Sequence, residues 1–326
     1  MLIMKIPFFS GLIKKSRRAG TCFVVAISGN GVHFAHVKYV AGRPQVVTYA
    51  YHQLAGAKSA GVSSAVLEKI RKGMKVGDFE FSTLLAPGEY QLLQVEAPNV
   101  PQGEIKAAVR WSIKDMLNYH VDDATMDVLQ IPTNQTSGDR KKSIYVVVAS
   151  NELIRKRSEL FERAHINLRV IDIPEMAQRN IAALYEQDGR ALALLAFDES
   201  GGLLTFTSGG ELYLARRIDI SIGQLQDANE ALRQQYFDRL ELEVQRSIDH
   251  FDRQFSHLTV QRFLLSVPEN TGLVEKLGKS LELKVERLDL SEAMDISEAP
   301  GLASDEAKVY ALHALGAALR QEGQAE

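Results

Sequence analysis

The sequence contains very little cysteine and no long apolar segment. Its single cysteine among 326 residues, Cys22, cannot form an internal disulfide and is too few for a thiolate metal site. A protein of a reducing compartment is therefore expected. No stretch approaches the roughly 20 consecutive apolar residues of a membrane-spanning helix, which argues against an integral membrane protein.

The overall charge is nearly balanced. Lysine and arginine total 38 residues and aspartate and glutamate 41, a net charge of −3, so a dedicated nucleic-acid-binding protein is not expected. Hydrophobic residues make up 45% and charged residues 24% of the chain, which is typical of a soluble globular protein. At about 150 residues per domain, the length predicts two structural units or one bilobed fold.

Acidic residues are absent before Glu68, whereas this region carries eight basic residues. Residues 1–20 form a short apolar and basic segment within it, for which two interpretations stay open. The segment is either a flexible start to a globular domain or an element that lies on an anionic membrane surface, although firm attachment usually needs two anchoring signals. The membrane contacts in the second case are Phe8, Phe9, Lys14, Lys15, Arg17 and Arg18.

The region after this segment predicts an antiparallel meander. Residues 21–27, 32–39 and 45–51 are rich in β-branched and aromatic residues, as strands are. The turn Ser28-Gly29-Asn30-Gly31 separates the first two, and Asn30-Gly31 tolerates the positive φ of a primed hairpin turn.

Residues 79–150 combine short strands with one helix. Apolar residues spaced three and four apart from Ile105 to Leu117 predict the helix. Trp111 follows Arg110 in it; this pair is typical of an interface, but a tryptophan in the core is an equally good interpretation. Strands are predicted at 79–85 and 91–96, around a Pro87-Gly88 turn, and at 126–131 and 143–149.

The second half repeats the pattern of the first. A buried-type strand at 191–197 is followed by a glycine turn and by a hairpin of residues 203–207 and 212–218. A helix then carries one apolar stripe, and Ser304 caps a closing alanine-rich helix. This duplication is typical of the two-lobed fold of sugar kinases, heat-shock proteins and actin, although two unrelated α/β domains are the alternative. The stripe consists of Leu240, Val244, Ile248, Phe251 and Phe255.

Histidine pairs do not predict a metal site. His33 and His36 are three residues apart in a predicted strand, so their side chains point to opposite faces. His250 and His257 lie two helical turns apart, about 10 Å along the axis, which is too far for one zinc ion.

Several short patterns occur in an order that resembles the PilM family of type IV pilus assembly proteins. Each pattern is weak alone, and their order over nearly the whole chain carries the resemblance. Within the family, the chain is most similar to the divergent biogenesis protein I (MshI) of mannose-sensitive haemagglutinin (MSHA) pili. The patterns are the turn at 26–31, the helix region 101–119, Asp198-Glu199-Ser200-Gly201, and residues 210–218, 243–251 and 311–320.

The resemblance implies an α/β, actin-like (ribonuclease H-like) duplicated two-lobe fold, close to that of the cell-division protein FtsA, with an inserted α+β subdomain. It also implies a groove beside the insert that binds the cytoplasmic N-terminal tail of a single-pass (bitopic) inner-membrane partner, similar to PilN or MshJ. The expected division is residues 21–78 and 151–185 for the first lobe, 79–150 for the insert and 186–326 for the second lobe.

The same resemblance locates a nucleotide cleft that departs from the pattern of the family. Ala26 stands where the first turn usually has an aspartate, and Ser200 stands where the second prefers glycine. Val267-Pro268 replaces two glycines of the third turn; proline also removes an N–H donor. The candidate cleft residues are Ser28, Gly29, Asn30, Gly31, Asp198, Ser200, Gly201, Glu243, Ser266 and Gly316.

These departures favour a scaffold that has lost ATP turnover, a pseudo-ATPase. The predicted function is that of a cytoplasmic protein, peripheral to the inner membrane, in a type IV (MSHA-like) pilus biogenesis complex; self-association is a further expectation. No catalytic residue, metal or cofactor is expected. The alternative is an actin-like ATPase that binds ATP and Mg²⁺ and whose nucleotide state gates the partner groove, and a third option is part of a related secretion component.

Overall fold

The structure is a computed structural model of the full chain. It describes residues 22–29, 31–54, 62–73, 79–133, 142–198 and 200–320. The predictions for residues 1–20, Asn30 and Glu199 therefore lie outside the described residues.

The first half contains one large sheet and a smaller sheet. In chain order its elements are β1 (Cys22–Ile27), β2 (Gly31–Val40), β3 (Arg43–Gln53), α1 (Ser64–Gly73), β4 (Glu80–Leu84), β5 (Gln91–Glu96), α2 (Ile105–Ser112), β6 (Ala124–Gln130), β7 (Ser143–Ser150), α3 (Asn151–Arg163), β8 (Asn167–Asp172) and α4 (Pro174–Ala182).

The second half contains the other large sheet and the longest helix among the described residues. Its elements are β9 (Ala191–Asp198), β10 (Gly201–Ser208), β11 (Glu211–Ile218), α5 (Ile222–Leu225), α6 (Glu230–Gln254), β12 (Val260–Ser266), α7 (Leu273–Ser280), β13 (Lys284–Arg287), α8 (Leu290–Ala293) and α9 (Asp305–Ala318).

The two large sheets have the same topology. The first has the strand order β3-β2-β1-β4-β8 and the second β11-β10-β9-β12-β13. In both, the first three strands along the chain pair antiparallel, and the last two continue the sheet in parallel. The predicted duplication is therefore confirmed, and the alternative of two unrelated α/β domains is wrong.

The first hairpin differs in detail from its prediction. Ser28 N–H donates to Gly31 O at 2.9 Å, so these two residues close the turn. Gly31 is the first residue of β2, opposite Gln53 of β3, and does not lie at the apex of the turn. A Cβ at Gly31 would collide with the Tyr51 ring and with His52 O. A glycine is needed at this position because β3 approaches its backbone so closely.

The smaller sheet has the order β5-β7-β6 and belongs to the inserted subdomain. The strand predicted at 79–85, inside the expected insert, is β4, and it lies between β1 and β8 in the first large sheet. It does so because it is buried on both faces, with Phe81 in one apolar cluster and Leu84 in another. The separate sheet thus begins at β5, which pairs with β7 and not with β4.

The insert helix is shorter than predicted. Regular helix ends at Ser112, and a 3₁₀ turn at Lys114–Met116 replaces its last turn. Trp111, in the regular helix, is 68% exposed, and Met116, in the 3₁₀ turn, is 50% exposed. The interpretation of Trp111 as a core residue is therefore wrong.

Helices α4 and α9 lie between the two large sheets. One apolar cluster joins Val24 and Ala35 of the first sheet, Leu194 of the second, and buried residues of both helices. The helices come very close where Gly316 of α9 meets Ala177 of α4, and Asn180 Nδ2 donates to Gly316 O at 2.9 Å. The interior between the lobes thus depends on these two helices.

The predicted apolar stripe of α6 is confirmed. Its five residues are buried against the outer face of the second sheet, where Phe251 stacks on Phe206 with ring centroids 4.8 Å apart. Among the described residues, none of the helices combines the length and the apolarity that spanning a bilayer requires.

The substitution Gly316→Ala is expected to destabilise the protein. The added Cβ would lie far inside contact distance of Ala177 O, a backbone atom that cannot move aside. Such overpacking costs about 1–3 kcal/mol, which chemical denaturation monitored by circular dichroism would measure.

The matched control is Gly278→Ala in α7, where the nearest atom to the new Cβ is 3.8 Å away. Alanine should there be neutral or stabilising by about 0.5–1 kcal/mol. Equal effects of the two variants would contradict the tight α4–α9 contact.

Candidate functional site

The candidate cleft lies at the edge where parallel strands of both large sheets end. Because β9 and β12 run parallel, their last residues, Asp198 and Ser266, come to the same edge of the second sheet. Helix α4 follows β8 of the first sheet, and its Glu175 approaches Arg217 of the second. The second and third of the predicted nucleotide turns therefore lie at one edge of the second sheet.

The first turn carries no acidic residue. Ser28 Oγ lies 3.2 Å from both Gly31 N and Gly31 O, so its polar atoms serve the turn itself. Ala26, at the position of the expected aspartate, is buried in the apolar cluster between the lobes. Gly29 is exposed next to it.

The second turn holds the carboxylate that the sequence predicted, but both of its oxygens are engaged. Asp198 Oδ1 accepts from Ser200 N at 2.8 Å and from Ser200 Oγ at 2.6 Å. Asp198 Oδ2 accepts from Arg217 Nη1 at 2.7 Å. Gly201, with φ of +141°, approaches Ile218 O so closely that a side chain would not fit.

Arg217 extends this contact into a chain of polar groups across the lobes. Its Nε lies 3.7 Å from Glu175 Oε1 in α4, and Glu175 Oε2 accepts a short hydrogen bond from the hydroxyl of Tyr90, just before β5. We call Asp198, Arg217, Glu175 and Tyr90 the cleft chain. It links the second lobe, the first lobe and the beginning of the inserted sheet.

In the cleft chain, neighbouring opposite charges offset the cost of burying each charged group. Burial raises the pKa of the Glu175 carboxyl, and Arg217 only partly opposes this. Burial also acts to raise the pKa of Asp198, but Arg217 and other partners outweigh it, so the pKa lies below its usual value. The nearby carboxylates raise the pKa of Arg217. The guanidinium thus stays charged between two acids.

Three members of the cleft chain were not predicted from the sequence. Arg217 lies in the pattern at 210–218, which did not single it out, and its side chain lies at the cleft edge because side chains alternate along β11. Glu175 directly follows Pro174 at the beginning of α4. The available signal for Glu175 was its position in the first turn of a helix. An acidic residue there commonly stabilises the helix dipole as a solvated side chain, so the signal does not indicate a buried site. Tyr90 gave no signal at all.

The third turn is closed by side chains. Val267 is buried in the core of the second lobe, and Pro268 leads into a 3₁₀ turn at Glu269–Thr271. Ser266 is buried beside a small pocket. The residues that line that pocket include Ser266, Val267, Arg287, Asp289, Asp305 and Lys308, and both Arg287 and Lys308 contact Asp305.

Two predicted cleft residues have other contacts. Glu243 lies on α6 and forms a surface ion pair with Arg246 at 3.5 Å. Gly316 is buried in the contact between α4 and α9. Neither has a described contact with the cleft chain, so the structure does not bring all the candidate residues into one site.

The two candidate partner residues differ in role. Arg110 donates to Val121 O at 2.7 Å and to Ala124 O at 3.4 Å, and these bonds hold the chain that precedes β6. Trp111 projects into solvent next to it. Of the pair, Trp111 is the side chain available for a partner.

Buried histidines lie close to the candidate cleft. His33 Nδ1 is 2.9 Å from Tyr49 Oη, and His313 Nε2 is 3.1 Å from Gln178 Oε1. His36 stacks on Phe23 on the other face of β2, as predicted. Burial lowers the pKa of each of these three histidines to about 4.

The cleft side chains do not supply the carboxylate ligands that a nucleotide-bound Mg²⁺ ion needs. Asp198 would have to release Arg217 to ligate a metal ion, and the first turn offers no second carboxylate. Within the ranges that the structure describes, no group of three or more His, Cys, Asp or Glu side chains is arranged to hold a metal ion.

The sequence matches no protein-family model and no curated protein. Among solved structures, the chain is similar to the PilM–PilN type IV pilus biogenesis complex, with 17% identity and a TM-score of 0.68 over 92% of this chain and 98% of that chain. This likeness establishes the fold, which is actin-like as expected.

Two further solved structures resemble the chain less closely. The cytoplasmic domain of EpsL, an inner-membrane component of the type II secretion system of Vibrio cholerae, has 15% identity and a TM-score of 0.48 over 87% of this chain and 95% of that chain. A Bacteroides thetaiotaomicron protein with an actin-like ATPase fold and unknown function has 10% identity and a TM-score of 0.49 over 88% and 96%.

Stability should fall on mild acidification because of the buried histidines. Each is neutral in the folded protein down to about pH 4, whereas an unfolded histidine takes up a proton near pH 6.5. Below that value the unfolded state binds more protons, and each histidine contributes up to about 1.4 kcal/mol of lost stability per pH unit. Denaturation at several pH values between 5 and 7 would measure the slope.

The variant His33→Gln should reduce that slope, while His257→Gln, at an exposed position, provides the control. An unchanged slope in His33→Gln would contradict a neutral, buried His33.

Proposed function

We propose that the chain is an actin-like scaffold of a type IV pilus biogenesis complex that no longer uses ATP. The fold likeness to the PilM–PilN complex supports the pilus assignment. The single observation that carries the scaffold assignment is the ion pair between Asp198 and Arg217 at 2.7 Å. The finer proposal is an MSHA-like system, with the protein at the cytoplasmic face of the inner membrane.

The ion pair opposes metal binding energetically. Hydrogen bonds between charged groups contribute about 1.5–3 kcal/mol each, so freeing Asp198 for Mg²⁺ would forfeit that contribution. It would also leave the Arg217 guanidinium, 31% exposed, without its main partner. The Arg217 guanidinium thus compensates the charge of the Asp198 carboxylate, as a bound metal ion would otherwise do.

The cleft also offers little attraction for phosphates. Arg217 stands between Asp198 and Glu175, so its positive charge is already compensated. At the third turn, Pro268 has no N–H to donate and the side chain of Val267 fills the core. Among the described cleft residues, Arg217 and the third turn therefore offer a triphosphate neither an uncompensated cation nor an open backbone.

The proposed activity is binding of the cytoplasmic tail of a bitopic membrane protein at the inserted subdomain. Trp111 and Met116 are large apolar side chains exposed on one helix and its 3₁₀ extension. Exposed aromatic residues of this kind are typical anchors of protein interfaces. The neighbouring Arg110 stabilises this region of the insert, because it donates hydrogen bonds to Val121 O and Ala124 O.

Calorimetric titration with Mg-ATP is expected to give no binding heat. The same solution should show no rise in thermal stability, whereas a nucleotide present at 100 times its Kd stabilises a protein by about 2.7 kcal/mol. Micromolar binding would contradict the scaffold proposal and favour an ATPase whose nucleotide state gates the partner surface.

Trp111 is the chain's single tryptophan, so its fluorescence reports on the proposed partner surface alone. A peptide with the sequence of the cytoplasmic N-terminal tail of a PilN-like membrane protein should shift the emission to shorter wavelength and protect it from iodide quenching. Trp111→Ala should weaken peptide binding at least tenfold by calorimetry, because aromatic anchors contribute about 2 kcal/mol or more.

The matched control is Leu242→Ala, which removes another large exposed apolar side chain, from α6 in the second lobe. Equal weakening by both variants, or an unchanged emission spectrum, would refute this location for the partner.

A further inference from the structure

Trp111 shares one exposed side of the insert helix with two acidic residues. Residues four and seven positions apart lie on the same face of a helix, so Glu104, Ala107 and Trp111 form one row. Ile113 keeps right-handed helical backbone angles between α2 and the 3₁₀ turn, and Asp115 therefore extends the row by one more turn. All four members of the row are exposed. An indole thus lies on the surface with an acidic residue on each side of it along the helix.

The direction of helical side chains brings Asp115 closer to the indole than Glu104. Side chains of a helix lean toward its N-terminus, so the carboxylate of Asp115 leans toward the turn that carries Trp111. The Trp111 side chain leans in the same direction over Ala107, whose methyl group is too small to cover an indole, and it is 68% exposed. An open aromatic face beside a carboxylate attracts cations.

The surrounding part of the insert is acidic. Residues 91–133 contain six acidic and three basic residues, a net charge of −3. Two of the bases, Lys106 and Arg110, contact groups of the insert itself. The third, Lys114, is exposed. Charge complementarity therefore favours an occupant that carries positive charge over a neutral or acidic one.

The partner class proposed above has the charge that this surface requires. Cytoplasmic segments of membrane proteins are enriched in lysine and arginine close to the membrane-spanning helix. Of the two, arginine suits an indole beside a carboxylate, because its planar guanidinium can stack on the ring while it donates to the carboxylate. Lysine presents a compact, strongly hydrated charge without a plane that could stack.

We propose that an arginine of the bound tail stacks on the Trp111 indole and donates to the Asp115 carboxylate. Glu104 adds negative charge at the other end of the row, and Met116 contacts an apolar side chain of the same tail. This inference rests on the proposed function, since it specifies the chemistry of the partner at the surface proposed there. The recognised ligand is a basic, partly apolar peptide segment.

Calorimetric titration of the full-length protein with three peptides tests the arginine contact. The arginine peptide has the sequence of the cytoplasmic N-terminal tail of a PilN-like membrane protein, and the glutamine and lysine peptides carry those residues in place of each arginine. The glutamine peptide should bind about tenfold more weakly than the arginine peptide, because it lacks the charged donor. The lysine peptide should lie between them. A lysine peptide that binds as tightly as the arginine peptide would show that stacking of a guanidinium is not involved.

The variant Asp115→Asn tests the carboxylate that the arginine contacts. It should weaken the arginine peptide about threefold, as expected for an exposed ion pair, and leave the affinity for the glutamine peptide unchanged. Asp252→Asn, at an exposed position of α6 in the second lobe, is the matched control for the change in net charge. If Asp252→Asn weakens the arginine peptide as much as Asp115→Asn does, the attraction is due to net charge and the specific contact is wrong.

The same titrations separate a failure of this inference from a failure of the proposed function. If the arginine and glutamine peptides bind equally and Trp111→Ala weakens both, the partner surface stands and the arginine contact is wrong. If none of the three peptides binds, both the proposed partner surface and the arginine contact are wrong.

Discussion

The close packing of α4 against α9 between the two large sheets is the constraint on which the rest of the structure depends. Gly316 lets the helices approach to backbone contact with Ala177, and the surrounding cluster contains residues of both sheets. One polar side chain of this interior is satisfied across the lobes, since Gln178 Nε2 donates to Leu194 O, Leu203 O and Thr205 Oγ1. The relative position of the lobes is therefore fixed by the helices between them.

This fixed position brings charges of different lobes together at the cleft edge. Glu175 is carried by α4 and Asp198 by the second sheet, and Arg217 lies between them. An ion pair that is partly buried is maintained only when its geometry is good and its remaining hydrogen-bonding groups are satisfied. Here Ser200 and Tyr90 supply the remaining hydrogen bonds. The acidic and basic groups at the cleft edge thereby compensate each other's charge.

The inserted subdomain has a different character from the two lobes. Its three-stranded sheet packs one face on α2, where Val109 and Ile113 are buried, and its other face on the second lobe, where Tyr145 Oη contacts β11. Its outer surface keeps large apolar groups exposed and leaves one oxygen of Asp127 without a described partner. The exposed apolar groups among these are the ones on which the proposed partner contact depends.

The sequence alone determined the elements with strong local signals. Alternating and continuous apolar runs located β1 to β3 and β9 to β11, the stripe from Leu240 to Phe255 located α6, and the repeated pattern predicted the duplicated lobes, because each signal depends only on neighbours in the chain. The tertiary structure decided which sheet β4 joins, where the insert helix ends, and that Arg217 is the partner of Asp198. Those outcomes depend on residues far apart in sequence, such as Phe81 packing beside Phe23, and Tyr90 reaching Glu175. Local periodicity contains no information about such pairings, so only the folded chain could supply them.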